Sequence, residues 1–489
     1  MATPIPTNRA RVNAWSAAAA TNGAIVRARD EAVWAAGIVS DSRAVVAGGA
    51  FVAIRGAQHD GHDYLSDVAA RGASLLVLAR GHGRAIPDGP DVVEVDDTLE
   101  AWGALAAAHV REWRRARRDQ PARVVAITGS AGKTTTKDLC AALLATIAPC
   151  HATAGNLNNR IGLPSVVFGL EAHHTFAVLE MGMSVRGEIA ALVVVAPPDV
   201  GIVTNVGIAH AEGVGGARAD VAREKGAIFA ALSESGVAVA NADDAAACGE
   251  LARLRAGRVE TFGRAAEATY RLVDRASLGE RGSRVVIARP TGAPLEVTLP
   301  LVGEAAAIDL VAAVAATEAA SARPLTNALV AEALADVRAS DGRAKIRALP
   351  NGPLVLDDTY NANPASMRAA LDTLAELARS RSARAVAVIG EMKELGARSL
   401  DEHALLGDAI AHAGVALAIG CGGLARVALE RASRGGVEVV DAPDVATAAE
   451  EAVARVRFTD VVLVKGSRSV GAEAVVSALE NAGKRGKAG

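Results

Sequence analysis

A short glycine-containing loop in this chain has the residue types and spacing of a phosphate-binding site. The loop and the residue after it are Gly129, Ser130, Ala131, Gly132, Lys133, Thr134 and Thr135. Backbone amides of such a loop and of a following helix N-terminus bind phosphate oxygens. A lysine at this place neutralises charge on the β- and γ-phosphates, and a threonine hydroxyl binds Mg²⁺. We therefore predict ATP as the ligand, with Mg²⁺ beside it.

The segments around the loop have the order that phosphate binding requires. A buried-type strand is predicted at Arg123–Thr128, and helical periodicity follows at Thr134–Ile147. One position departs from the general GxxxxGK[ST] pattern, because Ile127 stands where that pattern has glycine. The loop is therefore shorter than in ordinary P-loop proteins.

Three polar residues farther along are further candidates for chemistry. Glu180 ends the strand-like run FAVLE, His210 follows the run GIVTN, and Lys225 stands in a helical stretch. Open α/β sheets bind ligands at the carboxyl ends of their strands, and Thr134, Glu180 and His210 together suit Mg²⁺. Each also has a plainer interpretation. Glu180 could be a helix-capping acid and His210 a loop histidine, and Lys225, taken alone, is better interpreted as a surface lysine.

Dense polar loops follow strands predicted at Leu354–Asp357, Ala385–Ile389 and Val461–Val464 in the last third of the chain. They read DDTYNANPASM from Asp357, GEMKELG from Gly390 and KGSR from Lys465. Carboxyl ends of parallel strands meet at one edge of a sheet, so we expect these loops on one rim. Taken singly, each could also be a structural turn.

Short strand-like runs alternate with helical stretches along the chain, which predicts an α/β fold with mostly parallel sheets covered by helices. A length of 489 residues allows about three domains. Domain edges are indicated by Pro121, after a basic helical run, and by Arg323-Pro324. We predict a small α/β N-terminal domain at 1–118, a central P-loop-type mononucleotide-binding domain with a parallel sheet at 119–335, and a C-terminal Rossmann-like α/β domain at 336–489.

Composition narrows the class of protein. Hydrophobic residues make up 51% but aromatic residues only 3%, so the cores must be aliphatic. A net charge of -3 argues against a general binder of polyanions, and we expect no nucleic-acid partner. The basic run at 111–118 is interpreted as the solvated end of a helix with Trp113 on its buried side.

Cysteine spacing and apolar runs predict the compartment. The four cysteines lie far apart without CxxC or Cys/His ligand spacing, which argues against a disulfide framework and a zinc site. The first residues lack the apolar core of a signal peptide, and Pro197 and Pro198 break the longest apolar run. We expect a cytoplasmic monomer with no stable membrane insertion.

Taken together, these strings resemble the Mur ligase family of cell-wall enzymes over nearly the whole chain. The phosphate loop of that family has the short form GxxGKT, which explains why Ile127 stands in place of a glycine. The strings DDTYNANP and ELG resemble those of the family member that adds a dipeptide. The strings that carry the resemblance are DSR (41–43), FVAIRGAQHDGHDY (51–64), ITGSAGKTTTKD, TAGNLNNRIGLP, LEMG, TNVGIAH, REKGAIF, DGR (341–343), DDTYNANPASM, GEMKELG and VKGSR.

The resemblance implies an ATP-dependent amide ligase of peptidoglycan precursor synthesis. It would join D-alanyl-D-alanine to UDP-N-acetylmuramoyl-tripeptide through an acyl phosphate, with ATP and Mg²⁺. The N-terminal domain would bind the UDP precursor, the central domain ATP, and the C-terminal domain would complete the ligase site. Closure of the domains over the substrates would then be needed for catalysis.

The resemblance also implies roles for single residues. Lys133, His210 and Lys225 would be catalytic, and a carbamylated Lys225 would replace the surface-lysine interpretation. Metal ligands would be Thr134, Glu180, His210 and Lys225. ATP would be bound by Gly129, Ser130, Ala131, Gly132, Lys133, Thr134, Thr135, Asn156, Arg343 and Asp358. Substrate would be bound by Ser42, Arg43, Asn361 and Asn363.

One helix departs from the family pattern. Members usually carry a His and an Asn that contact adenine, where LVGEAAAIDL has Ala305 and Asp309. Two alternatives to the dipeptide ligase therefore stay open. One is a sister ligase that adds a single amino acid, and the other is a catalytically silent scaffold that binds the precursor.

Overall fold

The computed structural model describes residues 6–56, 58–117, 121–255, 257–350 and 352–485. Their strands form three large sheets of five, nine and six strands, with a separate two-stranded pair near the N-terminus. Most neighbouring strands are parallel and helices pack against them, so the predicted α/β class is confirmed. The predicted edge between 118 and 119 lies outside the described residues.

The N-terminal part builds the five-stranded sheet, ordered β2-β7-β6-β5-β4, and the pair β1-β3. Its strands are β1 (Arg11–Val12), β2 (Ala24–Arg27), β3 (Ala35–Ala36), β4 (Ile38–Val39), β5 (Ala50–Val52), β6 (Leu75–Ala79) and β7 (Asp91–Val95). Its helices are α1 (Ala14–Thr21), α2 (Leu65–Ala70) and α3 (Thr98–Ala116).

Helix α3 joins this part to the next one. Its amphipathic sequence buries Trp102 and Trp113, the latter as predicted from the sequence. The indole N–H of Trp102 donates to the carbonyl of Ile161, and that of Trp113 to the carbonyl of His174, both at 3.0 Å. Because buried indole donors are satisfied across the boundary, α3 is fixed on the central sheet's helical layer.

The central part builds the nine-stranded sheet, ordered β16-β15-β14-β13-β12-β11-β8-β10-β9. Its strands are β8 (Arg123–Thr128), β9 (Cys150–Ala152), β10 (Phe176–Glu180), β11 (Val200–Val203), β12 (Val237–Asn241), β13 (Arg258–Gly263), β14 (Tyr270–Ser277), β15 (Ser283–Ala288) and β16 (Leu295–Leu299). Its helices are α4 (Lys133–Ala145), α5 (Gly162–Val167), α6 (Glu188–Val195), α7 (Ala211–Val214), α8 (Arg218–Lys225), α9 (Ala227–Ala230), α10 (Ala245–Gly249), α11 (Glu304–Ser321) and α12 (Asn327–Ala335).

Strand β8 lies at the point where the order of this sheet reverses, between β10 on one side and β11 on the other. Its core residues from Val124 to Ile127 are fully buried, as expected for a strand covered on both faces. Ligands of open α/β sheets bind at such a switch point, beyond the carboxyl ends of the strands. The glycine loop after β8 therefore occupies the expected place for a ligand.

The C-terminal part builds the six-stranded sheet, ordered β17-β18-β22-β19-β20-β21. Its strands are β17 (Lys345–Ala348), β18 (Leu354–Asp357), β19 (Ala385–Ile389), β20 (Leu417–Cys421), β21 (Glu438–Ala442) and β22 (Val461–Lys465). Its helices are α13 (Pro364–Ser380), α14 (Ser399–His412), α15 (Ala425–Arg434), α16 (Val445–Arg455) and α17 (Glu473–Arg485).

Strand β22 pairs in parallel with both β18 and β19, so the last strand of the chain enters the middle of the sheet. The three polar loops that follow β18, β19 and β22 therefore leave neighbouring strands on the same rim. Across the described ranges, no helix combines the length and apolar character needed to cross a membrane.

An ion pair holds the C-terminal part against the central part. Arg275 on β14 forms two hydrogen bonds, of 2.6 and 2.7 Å, with the carboxylate of Glu376 on α13. The Arg275 side chain is only 7% exposed, so this pair is largely shielded from solvent. Arg381 and Glu280 add an exposed contact of 2.9 Å nearby.

Candidate active site

A cavity of about 920 Å³ lies between the central and C-terminal parts, at the carboxyl ends of β8 and β18. Many of the predicted site residues line it: Ser130, Ala131, Gly132, Lys133, Thr135, Glu180, His210, Lys225, Arg343, Asp358, Asn361 and Asn363. Residues separated by more than two hundred positions thus meet in one space. The size and mixed lining suit a bound nucleotide.

The glycine loop is held in shape by the end of strand β11. Asn205 accepts a 2.9 Å hydrogen bond from the amide of Ala131, and Thr204 donates one of 2.6 Å to the carbonyl of Ala131. Gly132 has a φ of 81°, and a Cβ there would lie 2.3 Å from a carboxylate oxygen of Asp309. Glycine is therefore required at 132 by both backbone conformation and space.

Thr134 and Glu180 form a buried polar contact of the site. The Thr134 hydroxyl donates a 2.7 Å hydrogen bond to one oxygen of Glu180, and the Asn158 amide donates one of the same length to the other oxygen. Glu180 is 1% exposed, and within the described ranges it forms no ion pair. A buried carboxylate without a cation, beside a hydroxyl, is a donor set that fits a hard divalent ion.

The described residues contain no group of three His, Cys, Asp or Glu side chains placed to hold a metal ion. A cation at Thr134 and Glu180 would therefore need further oxygens from elsewhere. Nucleotide phosphates and a modified Lys225 are chemically suitable sources, since Mg²⁺ is bound by few protein carboxylates together with phosphates.

Two lysines face the same end of the cavity. The Lys133 ammonium donates a 2.8 Å hydrogen bond to the carbonyl of Gly129, folding back on its own loop. Burial lowers the pKa of Lys133, while the charge of Glu180 opposes that shift. Bound phosphate would offer this ammonium stronger acceptors than a single carbonyl.

Lys225 ends helix α8 and is 2% exposed. Its amine has neither a hydrogen bond nor an ion pair with any described residue. Burial, and next the charge of Lys133, lower the pKa of Lys225 well below its usual value. The preceding residue, Glu224, fixes the helix by accepting hydrogen bonds of 2.9 Å from the amides of Gly187 and Ile189. A desolvated, unpaired amine is thus held rigidly in the cavity.

His210 lies on the central side of the cavity, with its backbone in the left-handed region at a φ of 60°. Burial lowers its pKa, and among nearby charges that of Glu394 raises it while those of Lys133 and Lys225 lower it. Its Nδ1 is in contact with the carboxylate of Glu394 from the C-terminal part.

The C-terminal rim contributes a stacked arginine. The guanidinium of Arg343 lies 3.9 Å from the centre of the Tyr360 ring, and that of Arg468 lies 5.9 Å from it. Asp358 accepts a 2.5 Å hydrogen bond from Lys465 and one of 3.0 Å from the amide of Ala344. Asp358 thereby fixes the segment that carries Arg343.

Asn363 connects the rim to the glycine loop. Its side-chain oxygen caps helix α13 by accepting from the amide of Ser366, and its side-chain amide donates to the carbonyl of Ser130 at 3.2 Å. Asn361 is exposed, and its carbonyl accepts a 2.9 Å hydrogen bond from Lys465.

Five predicted site residues do not line this cavity directly. Gly129 and Thr134 lie behind its wall, in the glycine loop and the first turn of α4. Asn156 is exposed, whereas its neighbours Asn158 and Asn159 line the cavity. Arg43, with Ser42, forms a turn in the N-terminal part, where its exposed side chain pairs with Asp41 at 2.7 Å.

Sequence reasoning assigned no site role to four residues that organise the cavity. These residues are Asn158, Tyr360, Glu394 and Lys465, and all but Glu394 line it. Tyr360, Glu394 and Lys465 belong to the polar loops predicted after strands, and Asn158 belongs to a string that carries the family resemblance. The missing information was which partner each side chain meets, because those partners come from distant parts of the chain.

The helix that departs from the family pattern also borders the cavity. Ala305 and Asp309 both line it from α11. Asp309 packs against Gly132, and burial raises the pKa of its carboxyl to about 8. At neutral pH this side chain is therefore largely a neutral acid that can donate a hydrogen bond.

The fold and the cavity define a multidomain, nucleotide-binding α/β enzyme. Three family models match the chain: "Mur ligase family, catalytic domain" at 35–109, "Mur ligase middle domain" at 127–317 and "Mur ligase, glutamate ligase domain" at 342–468. The chain belongs to the Mur ligase family.

Two known proteins that are similar to this chain over nearly their full length support its membership of the family. The UDP-N-acetylmuramoyl-tripeptide--D-alanyl-D-alanine ligase of Escherichia coli (strain K12) is 35% identical over 446 residues, which cover 91% of this chain and 94% of that protein. A crystal structure of MurF from Acinetobacter baumannii has a TM-score of 0.86 at 28% identity, covering 97% of this chain and 100% of the other.

A second solved structure that resembles this chain has a nucleotide bound. MurF ligase from Thermotoga maritima, in complex with ADP, has a TM-score of 0.78 at 26% identity. The match covers 92% of this chain and 98% of that one. The predicted family and three-domain α/β fold are therefore confirmed.

Proposed function

We propose that this chain is the ATP-dependent ligase that joins D-alanyl-D-alanine to UDP-N-acetylmuramoyl-tripeptide in peptidoglycan precursor synthesis. The observation that carries the proposal is the meeting of the glycine loop and the DDTYNANP segment in one cavity, through Asn363 and Ser130. Full-length relatives that bear this ligase's name support it. The UDP-precursor, ATP-binding and ligase roles of the regions 1–118, 119–335 and 336–489 are part of the proposal.

The reaction divides into two steps. The terminal carboxylate of the tripeptide attacks the γ-phosphorus of ATP, which releases ADP and forms an acyl phosphate. The amine of D-alanyl-D-alanine, having lost a proton, then attacks the acyl carbon and releases phosphate as the amide forms. Activation is needed because a carboxylate is a poor electrophile. The acyl phosphate reacts readily because phosphate is a good leaving group.

The glycine loop and its lysine act on the phosphates. The backbone amides of residues 129–135 would bind the phosphate oxygens. Lys133 would leave its present contact with the carbonyl of Gly129 and neutralise charge on the transferring phosphoryl group. Arg343, held on the ring of Tyr360, would approach the same group from the C-terminal side. Asn156 and Asp358 are assigned to ATP in this proposal, the latter by fixing the segment of Arg343.

Mg²⁺ would be held by Thr134 and Glu180 at one position and by Glu180, His210 and a carbamylated Lys225 at a second. When bound, it would supply charge neutralisation on the phosphates. The buried, unpaired amine of Lys225 supports the carbamate, since the neutral amine is the form that adds carbon dioxide. Modification would turn a repelled positive charge beside Lys133 into a carboxylate.

Substrate contacts complete the proposal. Ser42 and Arg43 would bind the uridine nucleotide part, and Asn361 and Asn363 would lie beside the acyl acceptor. The protein would act as a monomer in the cytoplasm, where ATP and the nucleotide precursor are available.

The test is phosphate release from ATP and Mg²⁺ with UDP-N-acetylmuramoyl-tripeptide, comparing D-alanyl-D-alanine, D-alanine and no amine. We expect release that requires the dipeptide, with the pentapeptide product identified by mass. Release with single amino acids instead would favour a sister ligase and contradict the proposal.

A second candidate function rests on the helix with Ala305 and Asp309. If adenine is not held there, the chain would bind the precursor as a scaffold without turnover. Precursor binding measured by calorimetry, combined with no phosphate release for any acceptor, would establish this alternative.

A further inference from the structure

The loop GEMKELG carries an acidic residue that the proposed reaction leaves without a role. Glu394 follows strand β19, and its backbone has a φ of 62°, in the left-handed region that only a minority of non-glycine residues adopt. Its side chain is 56% exposed, so packing does not require the carboxylate. A strained position on a polar loop calls for a functional explanation.

The loop around Glu394 is fixed from both sides. The amide of Met392 donates a 3.0 Å hydrogen bond to Nε2 of buried His403, and the amide of Lys393 donates one of 2.8 Å to the hydroxyl of Ser467. Leu395 is buried directly after Glu394. The carboxylate therefore projects from a rigid base on the C-terminal rim.

That carboxylate meets His210, which belongs to the central part. The two side chains are in contact, with Nδ1 of His210 against a carboxylate oxygen of Glu394. Nδ1 of His210 is buried and makes no hydrogen bond within the described ranges, and the carboxylate of Glu394 is the acceptor group in contact with it. The other charged groups that act on the ring from the central part are Lys133, Lys225 and Glu188.

Histidines that bind metal ions commonly donate their second ring N–H to a carboxylate, which fixes the tautomer and the orientation of the ring. With Nδ1 held in this way, the atom left for a cation is Nε2. We propose that Glu394 is a positioning residue that holds Nδ1 of His210 and presents Nε2 to a divalent cation when the C-terminal part closes on the central part.

This inference rests on the metal role that the proposed function gives to His210. It adds that one of the cation sites is completed by a residue from another domain. Cation affinity and domain closure are then coupled, because the orienting carboxylate is in place only in the closed arrangement. The ELG string acquires a role in assembling the site.

The test measures cation binding to the full-length protein rather than turnover alone. Mn²⁺ is titrated in the presence of saturating ADP, and free Mn²⁺ is followed by electron paramagnetic resonance. In Glu394→Gln we expect the dissociation constant of one bound ion to rise on the order of 10- to 100-fold, the usual effect of losing such a carboxylate. Glu451→Gln is the matched control, because Glu451 is an ion-paired glutamate on α16 that does not line the cavity.

A kinetic measurement separates positioning from a general structural effect. The Mg²⁺ concentration needed for half-maximal rate should rise in Glu394→Gln, while the rate at saturating Mg²⁺ stays within a few-fold of the unmodified protein. Glu394→Asp, which keeps the charge, should recover part of the affinity. Mn²⁺ binding and Mg²⁺ dependence equal to those of Glu451→Gln would overturn the inference.

His210→Asn distinguishes failure of this inference from failure of the metal assignment. If that variant loses the ion and Glu394→Gln does not, only the inference is wrong. If neither variant affects the ion, the metal role of His210 in the proposed function is wrong as well, and the inference falls with it.

Discussion

The side-chain amide of Asn363 donates a hydrogen bond to the carbonyl oxygen of Ser130 over 3.2 Å. The same side chain caps helix α13 through its oxygen, which accepts from the amide of Ser366 at 2.9 Å. One residue thereby ties the start of a long helix in the C-terminal part to the glycine loop of the central part. The contact between the two parts and the shape of the loop are linked through it.

Replacing Asn363 with aspartate separates these two roles. Aspartate caps a helix as well as asparagine does, but it cannot donate to Ser130 and adds a charge beside the bound phosphates. We expect kcat/KM for ATP to fall about tenfold or more, on the scale of one lost buried donor, with little change in Tm. Steady-state kinetics and a thermal melt check both parts.

Asn13→Asp is the matched control for this variant. Asn13 caps α1 in the same Asn-x-x-Ser arrangement and donates a 2.7 Å hydrogen bond to the carbonyl of Glu31. It lies in the N-terminal part, away from the glycine loop, so its aspartate variant should keep its activity. Equal kinetic losses in the two variants would contradict the coupling.

Lys225→Ala should lose most of its activity, and a short carboxylate such as acetate should restore part of it. The expected reason is that the carboxylate enters the space of the proposed carbamate and supplies its oxygens to the cation. Activity is measured as ADP formation with increasing acetate. Supplying ¹³C-bicarbonate to the unmodified protein should also give a carbamate carbon signal that is absent in the variant.

The control for this rescue is Lys137→Ala. Lys137 is also a buried lysine, but its ammonium donates to the carbonyl of Thr153 at 2.8 Å and pairs with Asp138 at 2.6 Å. Any activity lost by that variant should not return with acetate. Full activity of Lys225→Ala without acetate would rule out the carbamate.

Local patterns were sufficient to predict the glycine loop and the strands that frame the cavity. A strand, a glycine turn and a helix are contiguous in sequence, so β8 and α4 could be predicted together. The predicted strands at Phe176–Glu180, Leu354–Asp357 and Ala385–Ile389 agree residue for residue with β10, β18 and β19. Their apolar runs are those of strands buried on both faces.

Contacts between domains could not be predicted in this way. The pairs His210–Glu394 and Ser130–Asn363 join residues more than one hundred positions apart, and no local periodicity encodes which partner a side chain meets. The antiparallel extension β14-β15-β16 was also not predicted, although it carries Arg275 to its contact with Glu376. Such pairings depend on how the folded domains pack against each other.

Asp309→Asn should make stability less dependent on pH. Burial raises the pKa of Asp309 to about 8 from an ordinary value of 3.8, so the folded protein binds a proton that the unfolded chain releases between roughly pH 4 and pH 8. The free energy of unfolding contributed by this group is present below about pH 4 and is lost as pH rises towards 8. Asparagine resembles the neutral acid at every pH.

The Tm of Asp309→Asn should therefore exceed that of the unmodified protein by several degrees at pH 8, with a smaller difference at pH 5. Asp336→Asn is the control, because Asp336 is exposed at the end of α12 and should give no pH-dependent difference. A Tm difference for Asp309→Asn that stays constant from pH 5 to pH 8 would contradict a raised pKa.

Tyr360→Leu should impair the use of ATP through Arg343. The Arg343 guanidinium lies 3.9 Å from the ring centre, and stacking of this kind is worth about 0.5 to 2 kcal/mol depending on exposure. Leucine keeps an apolar side chain but removes the face on which the guanidinium rests. We expect kcat/KM for ATP to fall roughly 2- to 30-fold, which is that energy converted to a rate ratio.

Tyr360→Phe separates stacking from any role of the hydroxyl. Phenylalanine retains the ring, so Arg343 should keep its orientation and kcat/KM should stay within about twofold of the unmodified protein. Arg343→Ala combined with Tyr360→Leu should cost no more than Arg343→Ala alone, because the ring acts only through the arginine. Losses that multiply in the double variant would show that Tyr360 contacts the substrates independently of Arg343.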